Sequence, residues 1–171
     1  MFTLVTGGAA SGKSEYAESL VMRLPGRRIY LATMRPADPE SLARINRHRL
    51  LRQGRGFDTL ERYTDLAGAE IPAESNILLE CMSNLAANEL YDSEGGGAES
   101  ILRGAGALLA RCAHLTVVTN DVFSGGAAYG GDTLRYLREL ARINRALAER
   151  ADTVIEVVCG LPNVLKGGNP L

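Results

Sequence analysis

Cysteine is scarce and badly placed for any shared chemistry. The chain has three, Cys81, Cys112 and Cys159, an odd number with no C-x-x-C pair and no Cys/His cluster. That excludes a zinc site and a disulfide framework, and leaves each cysteine to be read as a small buried hydrophobe within or beside an apolar run. Tryptophan is absent and histidine occurs only twice. An excess of either charge is also lacking: 19 Lys+Arg face 20 Asp+Glu, a net charge of −1. Proteins that coat nucleic acid draw their binding energy from phosphate neutralisation, so no nucleic-acid partner is expected. No apolar run approaches the roughly 20 residues of a membrane span, and the first residues lack the basic flank and long apolar core of a signal peptide. A cytoplasmic setting is expected. No internal repeat and no linker interrupts the chain.

What is present suits one compact domain over residues 1–171. A chain of 171 residues with 46% apolar and 23% charged side chains can bury roughly 70% of its unfolded surface without a metal or disulfide staple. Short, almost wholly apolar runs at 2–5, 29–32, 77–79, 115–118 and 154–158 read as strands buried on both faces. Helical stretches at 13–24, 39–52, 99–112 and 132–150 alternate with them. The alternation predicts an α/β fold with a mainly parallel sheet flanked by helices. Asp38 is a good N-cap, with Pro39 at the first helical position and Glu40 at the positive end of the dipole. The glycine-rich stretches at 95–97 and 124–131 read as loops, the second as a lid beside a site, and residues 166–171 as a frayed tail.

One motif outweighs the rest. Gly7-Gly8-Ala9-Ala10-Ser11-Gly12-Lys13-Ser14 fits G-x-x-x-x-G-K-[ST] in full, with a strand before it and a helix after it. Glycines let several backbone N–H groups point at one phosphate, at the positive end of a helix. Lys13 is expected on the β/γ oxygens and the Ser14 hydroxyl on Mg²⁺. No G-x-G-x-x-G occurs, which removes a dinucleotide fold. Mg²⁺ needs a second acidic contact from a strand end. Glu80 is the first candidate and Asp121 the second, although either carboxylate would also serve as a helix cap.

His48 stands apart from His114, which reads as structural. Arg44, His48 and Arg52 fall at i, i+4 and i+8 on one helix face, with Arg47 and Arg49 beside them. Such a row suits a phosphate-bearing ligand, and its positive charge would keep the imidazole neutral and nucleophilic. The same spacing equally describes a solvated basic face that happens to carry a histidine.

Taken in order, these residues resemble the bifunctional adenosylcobinamide kinase / adenosylcobinamide-phosphate guanylyltransferase family of cobalamin biosynthesis. The P-loop, Tyr30-Leu31-Ala32-Thr33, Arg44-Ile45-Asn46-Arg47-His48-Arg49, Thr59-Leu60-Glu61, Leu78-Leu79-Glu80, Val118-Thr119-Asn120-Asp121 and Arg142-Ile143-Asn144 carry the likeness. It implies a RecA-like P-loop NTPase fold, assembly as a homo-oligomer (a trimer), GTP and ATP as substrates, and adenosylcobinamide and its phosphate as corrinoid partners. It further implies that His48 becomes guanylylated and then passes GMP to the cobinamide phosphate. Nucleotide contacts are implied from the P-loop, from Ala32, Thr33 and Met34, from Arg49, Leu50, Leu51 and Arg52, and from Glu61 and Glu80. The chain departs from the family pattern at Ala10 (commonly Arg), Phe57 (commonly Trp), Arg47 (a second histidine in some members) and residues 123–129, which the resemblance sets beside the corrinoid or a second nucleotide. Two rival readings of the same P-loop are a small-molecule kinase without guanylyl transfer and a non-catalytic nucleotide sensor.

Overall fold

The computed structural model describes residues 1–122 and 129–168. Seven strands form one sheet in the order β3-β2-β4-β5-β1-β6-β7. They are β1 (Phe2–Thr6), β2 (Arg28–Ala32), β3 (Phe57–Glu61), β4 (Asn76–Glu80), β5 (His114–Val118), β6 (Thr153–Val158) and β7 (Leu161–Lys166). All neighbours pair in parallel except β6 and β7, which are antiparallel. The helices are α1 (Lys13–Arg23), α2 (Pro39–Arg52), α3 (Met82–Tyr91), α4 (Gly97–Leu109) and α5 (Gly131–Arg150). No described helix is long and apolar enough to cross a membrane.

The continuous apolar runs are buried on both faces, as a covered parallel sheet requires. On one face Ala17, Leu20 and Val21 of α1 pack on Val5, Leu78, Val118 and Ile155. On the other, Leu85, Ile101, Leu108, Leu140, Ile143 and Leu147 of α3, α4 and α5 cover Leu4, Leu31, Ile77, Leu79 and Val117. Each such fully buried aliphatic side chain contributes about 1.5–3 kcal/mol.

Helix α2 forgoes that gain. Its Leu42, Leu50 and Leu51 are 46%, 65% and 51% exposed, and Arg52 is its one buried residue. The start of α2 is fixed by a capping box: Ser41 N–H donates to Asp38 Oδ1, and Asp38 N–H donates to Ser41 Oγ. Its far end is held by polar contacts. The Arg52 guanidinium lies 3.4 Å from the Tyr30 ring centroid, and Arg55, just beyond the helix, pairs with buried Glu18 of α1.

Several expectations need correction. Edge strands β3 and β7 and helix α3 were not foreseen. Lys166 is no part of a frayed tail: it ends β7, and its ammonium donates to the carbonyls of Ala148 and Glu149. Cys159 is exposed rather than buried, because it sits in the tight β6–β7 turn with φ +51°. Helix α4 begins at Gly97 and ends at Leu109, earlier than the apolar pattern suggests. The expected lid at 124–131 lies mostly outside the described residues; Gly131 opens α5.

Candidate active site

Parallel strands in register bring their carboxyl ends to one level. Ala32 is opposite Glu61 on one side and Glu80 on the other, and Glu80 is opposite Val118. Side chains remote in sequence therefore share one rim, where open parallel sheets place ligands. The P-loop follows β1 along that rim.

Glycine is required in the loop for two separate reasons. A Cβ on Gly7 would stand 2.6 Å from Val157 O, and Gly12 combines φ +88° with the Gly160 Cα only 3.1 Å from a would-be Cβ. The β6–β7 turn presses on the loop here, and Gly160 N–H donates to Ser11 O at 2.8 Å. Ala10 also adopts φ +55°, a conformation costly to any residue with a side chain.

The loop borders a cavity of about 410 Å³ lined by Ala9, Ala10, Lys13, Ser14, Tyr30, Ala32, Met34, Arg44, His48, Arg49, Arg52, Glu61, Glu80, Asn84, Asn120 and Asp121, among others. Lys13 is buried and donates to Gly8 O at 2.9 Å. Burial lowers its ammonium below the ordinary lysine range, while the nearby Glu80 carboxylate opposes the shift. Ser14 Oγ donates to Glu80 Oε1 at 2.5 Å, and Glu80 Oε2 is buried with no hydrogen-bond partner. A hydroxyl oxygen beside a carboxylate with an unused lone pair suits a hard divalent cation that completes its shell with phosphate and water. Two protein oxygens of this kind fit Mg²⁺, which keeps several waters of its own, rather than an all-protein cage.

Helix α2 presents its basic face to the same cavity. His48 is half-buried, and burial first, then Arg52, Arg44 and Arg47, hold its imidazole below the ordinary histidine range against the pull of Glu80. The Nε and Nη1 of Arg52 are buried without partners. Arg49 pairs with Glu61, which also accepts from the Tyr63 hydroxyl at 2.7 Å. Burial and then the Glu80 charge push the Tyr30 phenol upward.

The structure brings most of the expected residues together. Gly7, Gly8, Ser11 and Gly12 shape the loop without lining the cavity. Thr33 is buried behind it, with its N–H donating to Glu80 O and its hydroxyl to Cys81 O. Leu50 and Leu51 are exposed and do not line the cavity. Sequence reasoning gave no role to Tyr30, Asn84 or Asn120. Tyr30 had two signals, its place in the Tyr30-Leu31-Ala32-Thr33 likeness and a polar tip within the otherwise aliphatic run 29–32. His114 opens β5, buried and within 3.2 Å of Thr3 Oγ1, a structural place remote from this rim.

Comparison with known proteins agrees with this geometry. The profile described as "Cobinamide kinase / cobinamide phosphate guanyltransferase" matches residues 3–165. The chain is 35% identical over 181 residues to the bifunctional adenosylcobalamin biosynthesis protein CobU of Escherichia coli (strain K12), covering 94% of this chain and 97% of that protein. It is 33% identical over 174 residues to CobP of Pseudomonas aeruginosa, also a bifunctional adenosylcobalamin biosynthesis protein, with 98% of each covered. Among solved structures, a prototypical ATPase of a bacterial type III secretion system aligns with TM-score 0.51 at 11% identity, over 95% of this chain and 56% of that one. That likeness concerns the fold alone, a RecA-like P-loop arrangement. The chain belongs to the cobinamide kinase / cobinamide phosphate guanyltransferase family.

Proposed function

We propose that the chain transfers GMP from GTP to adenosylcobinamide phosphate through His48, and phosphorylates adenosylcobinamide to make that acceptor. The observation that carries this reading is one cavity lined by both His48 and the P-loop residues Lys13 and Ser14. A neutral imidazole nitrogen attacks the α-phosphorus of GTP. The P–N bond forms as the bond to the α,β-bridging oxygen breaks, and pyrophosphate leaves. An ionised oxygen of the cobinamide phosphate then attacks the same phosphorus, the P–N bond breaks and His48 is restored.

Lys13 and the loop N–H groups hold the phosphate oxygens, and Arg52 and Arg44 supply further positive charge. Ser14 and Glu80 would hold Mg²⁺, which when bound neutralises phosphate charge and polarises the bond to the leaving group. A cytoplasmic homo-oligomer, a trimer by resemblance, is part of the same proposal. The exposed Leu161 of edge strand β7 offers an apolar surface for it.

Incubation with α-labelled GTP tests the reading. Label retained after denaturation, labile to acid and stable to base, is the expected result for a phosphorus–nitrogen bond. A kinase without guanylyl transfer, or a nucleotide sensor, would keep none.

A further inference from the structure

A second cavity of about 320 Å³ lies under α5, lined by Thr6, Thr119, Asp121, Asn144, Ala148 and Leu165, among others. Among the described residues, Asp121 alone lines both this cavity and the nucleotide cavity. Its position is fixed from several sides. Asp121 N–H donates to Gly7 O at 3.1 Å, which sets it beside the first residue of the P-loop. Thr119 N–H donates to Val5 O, and the Thr119 hydroxyl donates to Asn144 Oδ1 at 2.7 Å. Asn120 Nδ2 donates to Ser83 Oγ at 2.7 Å. The turn leaving β5 is thus tied to β1, α3 and α5 together.

The two halves of the proposed function make different demands here. A cobinamide phosphate already carries an ionised oxygen and attacks without losing a proton. A cobinamide hydroxyl does not, and its proton must go to an acceptor. A carboxylate on the seam between the phosphate site and a second cavity meets that need. Arg145 and Glu156 line the second cavity with the Thr6 hydroxyl and the aliphatic Ala148 and Leu165, while the Asn144 carboxamide is held by Thr119 and Asn120. A guanidinium for a C=O and a carboxylate for an N–H suit an amide-bearing arm that ends in a hydroxyl.

Resting on the function proposed above, we propose that the second cavity receives the hydroxyl-terminated amide arm of the corrinoid acceptor and that Asp121 accepts its proton in the kinase step. The hydroxyl oxygen bonds to the γ-phosphorus of the nucleotide as the bond to the β,γ-bridging oxygen breaks. The proton passes to the Asp121 carboxylate, and the nucleoside diphosphate leaves.

The test measures, on the same full-length preparations, phosphorylation of adenosylcobinamide and labelling of the protein by α-labelled GTP. Asp121→Asn should lower kinase kcat by about 10²-fold or more, at least tenfold further than it lowers labelling, with partial recovery in Asp121→Glu. Ala148→Phe, crowding the cavity from within, and Leu165→Trp, from its exposed rim, should each raise KM for adenosylcobinamide about tenfold more than KM for the nucleotide. Parallel loss of both activities in Asp121→Asn would overturn the assignment, because the residue would then only shape the nucleotide site. An unaltered KM for the corrinoid in both crowding variants would also overturn it. A wild-type chain that neither takes label nor phosphorylates the acceptor would instead overturn the underlying function, and this assignment with it.

Discussion

Ser14 Oγ donates to Glu80 Oε1 across 2.5 Å, joining the first turn of α1 to the end of β4. The pair is 66 residues apart in sequence and is brought together because the strand preceding the P-loop and β4 both end on the same rim. Glu80 Oε2 is also buried, and on the proposed reading this pair holds Mg²⁺. Removing Mg²⁺ with EDTA should abolish labelling by GTP. Glu80→Gln, which keeps size but loses charge, should slow it by about 10²-fold, partly recovered at high Mg²⁺. Full activity in Glu80→Gln would move the metal role to another carboxylate.

On the proposed mechanism His48 sets the pH dependence. Burial, then the neighbouring arginines, favour its neutral form, so the proposed nucleophile stays deprotonated below the ordinary histidine value of about 6.5. The acid limb of kcat/KM for self-guanylylation should therefore lie below that pH, with activity flat above it. Replacing Arg44 and Arg47 together by Gln removes positive charge and should shift the limb upward. A pH–rate profile from about pH 5 to 8 reads this directly; a limb at or above the ordinary value in wild type would contradict it.

The Arg52 guanidinium stacks on Tyr30 while two of its nitrogens stay buried and unpaired. A planar fork can do both, whereas an ammonium cannot. Arg52→Lys should therefore raise KM for GTP about tenfold despite retained charge, measured by labelling at varied GTP. An unchanged KM would show that the buried nitrogens meet no phosphate.

These predictions lean on residues of unequal legibility. The P-loop could be read residue by residue because backbone curvature, lysine and hydroxyl occupy fixed spacings. Buried strands β1, β2, β4, β5 and β6 announced themselves as apolar runs. Strand β3 (Phe-Asp-Thr-Leu-Glu) and strand β7 (Leu-Pro-Asn-Val-Leu-Lys) did not, because each is an edge with mostly exposed side chains. Helix α3 follows β4 almost without a break, and its N-cap residue Cys81 makes no side-chain cap, so no start signal marked it. In the site, the i, i+4, i+8 row put Arg44, His48 and Arg52 on one face. That face could be a binding surface or a solvated one until the tertiary fold turned it toward the P-loop. Tyr30, Asn84 and Asn120 join the cavity only through strand order and register, which no local pattern encodes. Leu50 shares α2 with His48 but points away from the cavity, as a helical period demands; Leu51, at i+3 from His48, sits at the edge of that face and still lies outside the lining.

A stability prediction falls well away from the chemistry. Glu89 of α3 is 2% exposed and accepts from Asp65 N–H at 2.8 Å, Gly96 N–H at 2.6 Å and Ser100 Oγ at 3.1 Å. It ties the turn before α4 to the loop after β3. Glu89→Gln turns an amide N–H₂ toward donors and should cost about 1–3 kcal/mol, lowering Tm by about 5 °C. Labelling by GTP at 25 °C should persist, since Glu89 does not line the nucleotide cavity.

The central claim is that His48 carries GMP covalently, and peptide mapping of the protein labelled by α-labelled GTP tests it most directly. The account predicts one labelled peptide containing His48, labile in acid and stable in base, and no label in His48→Asn with a wild-type Tm. Label that survives acid, maps to another residue, or persists in His48→Asn would contradict it.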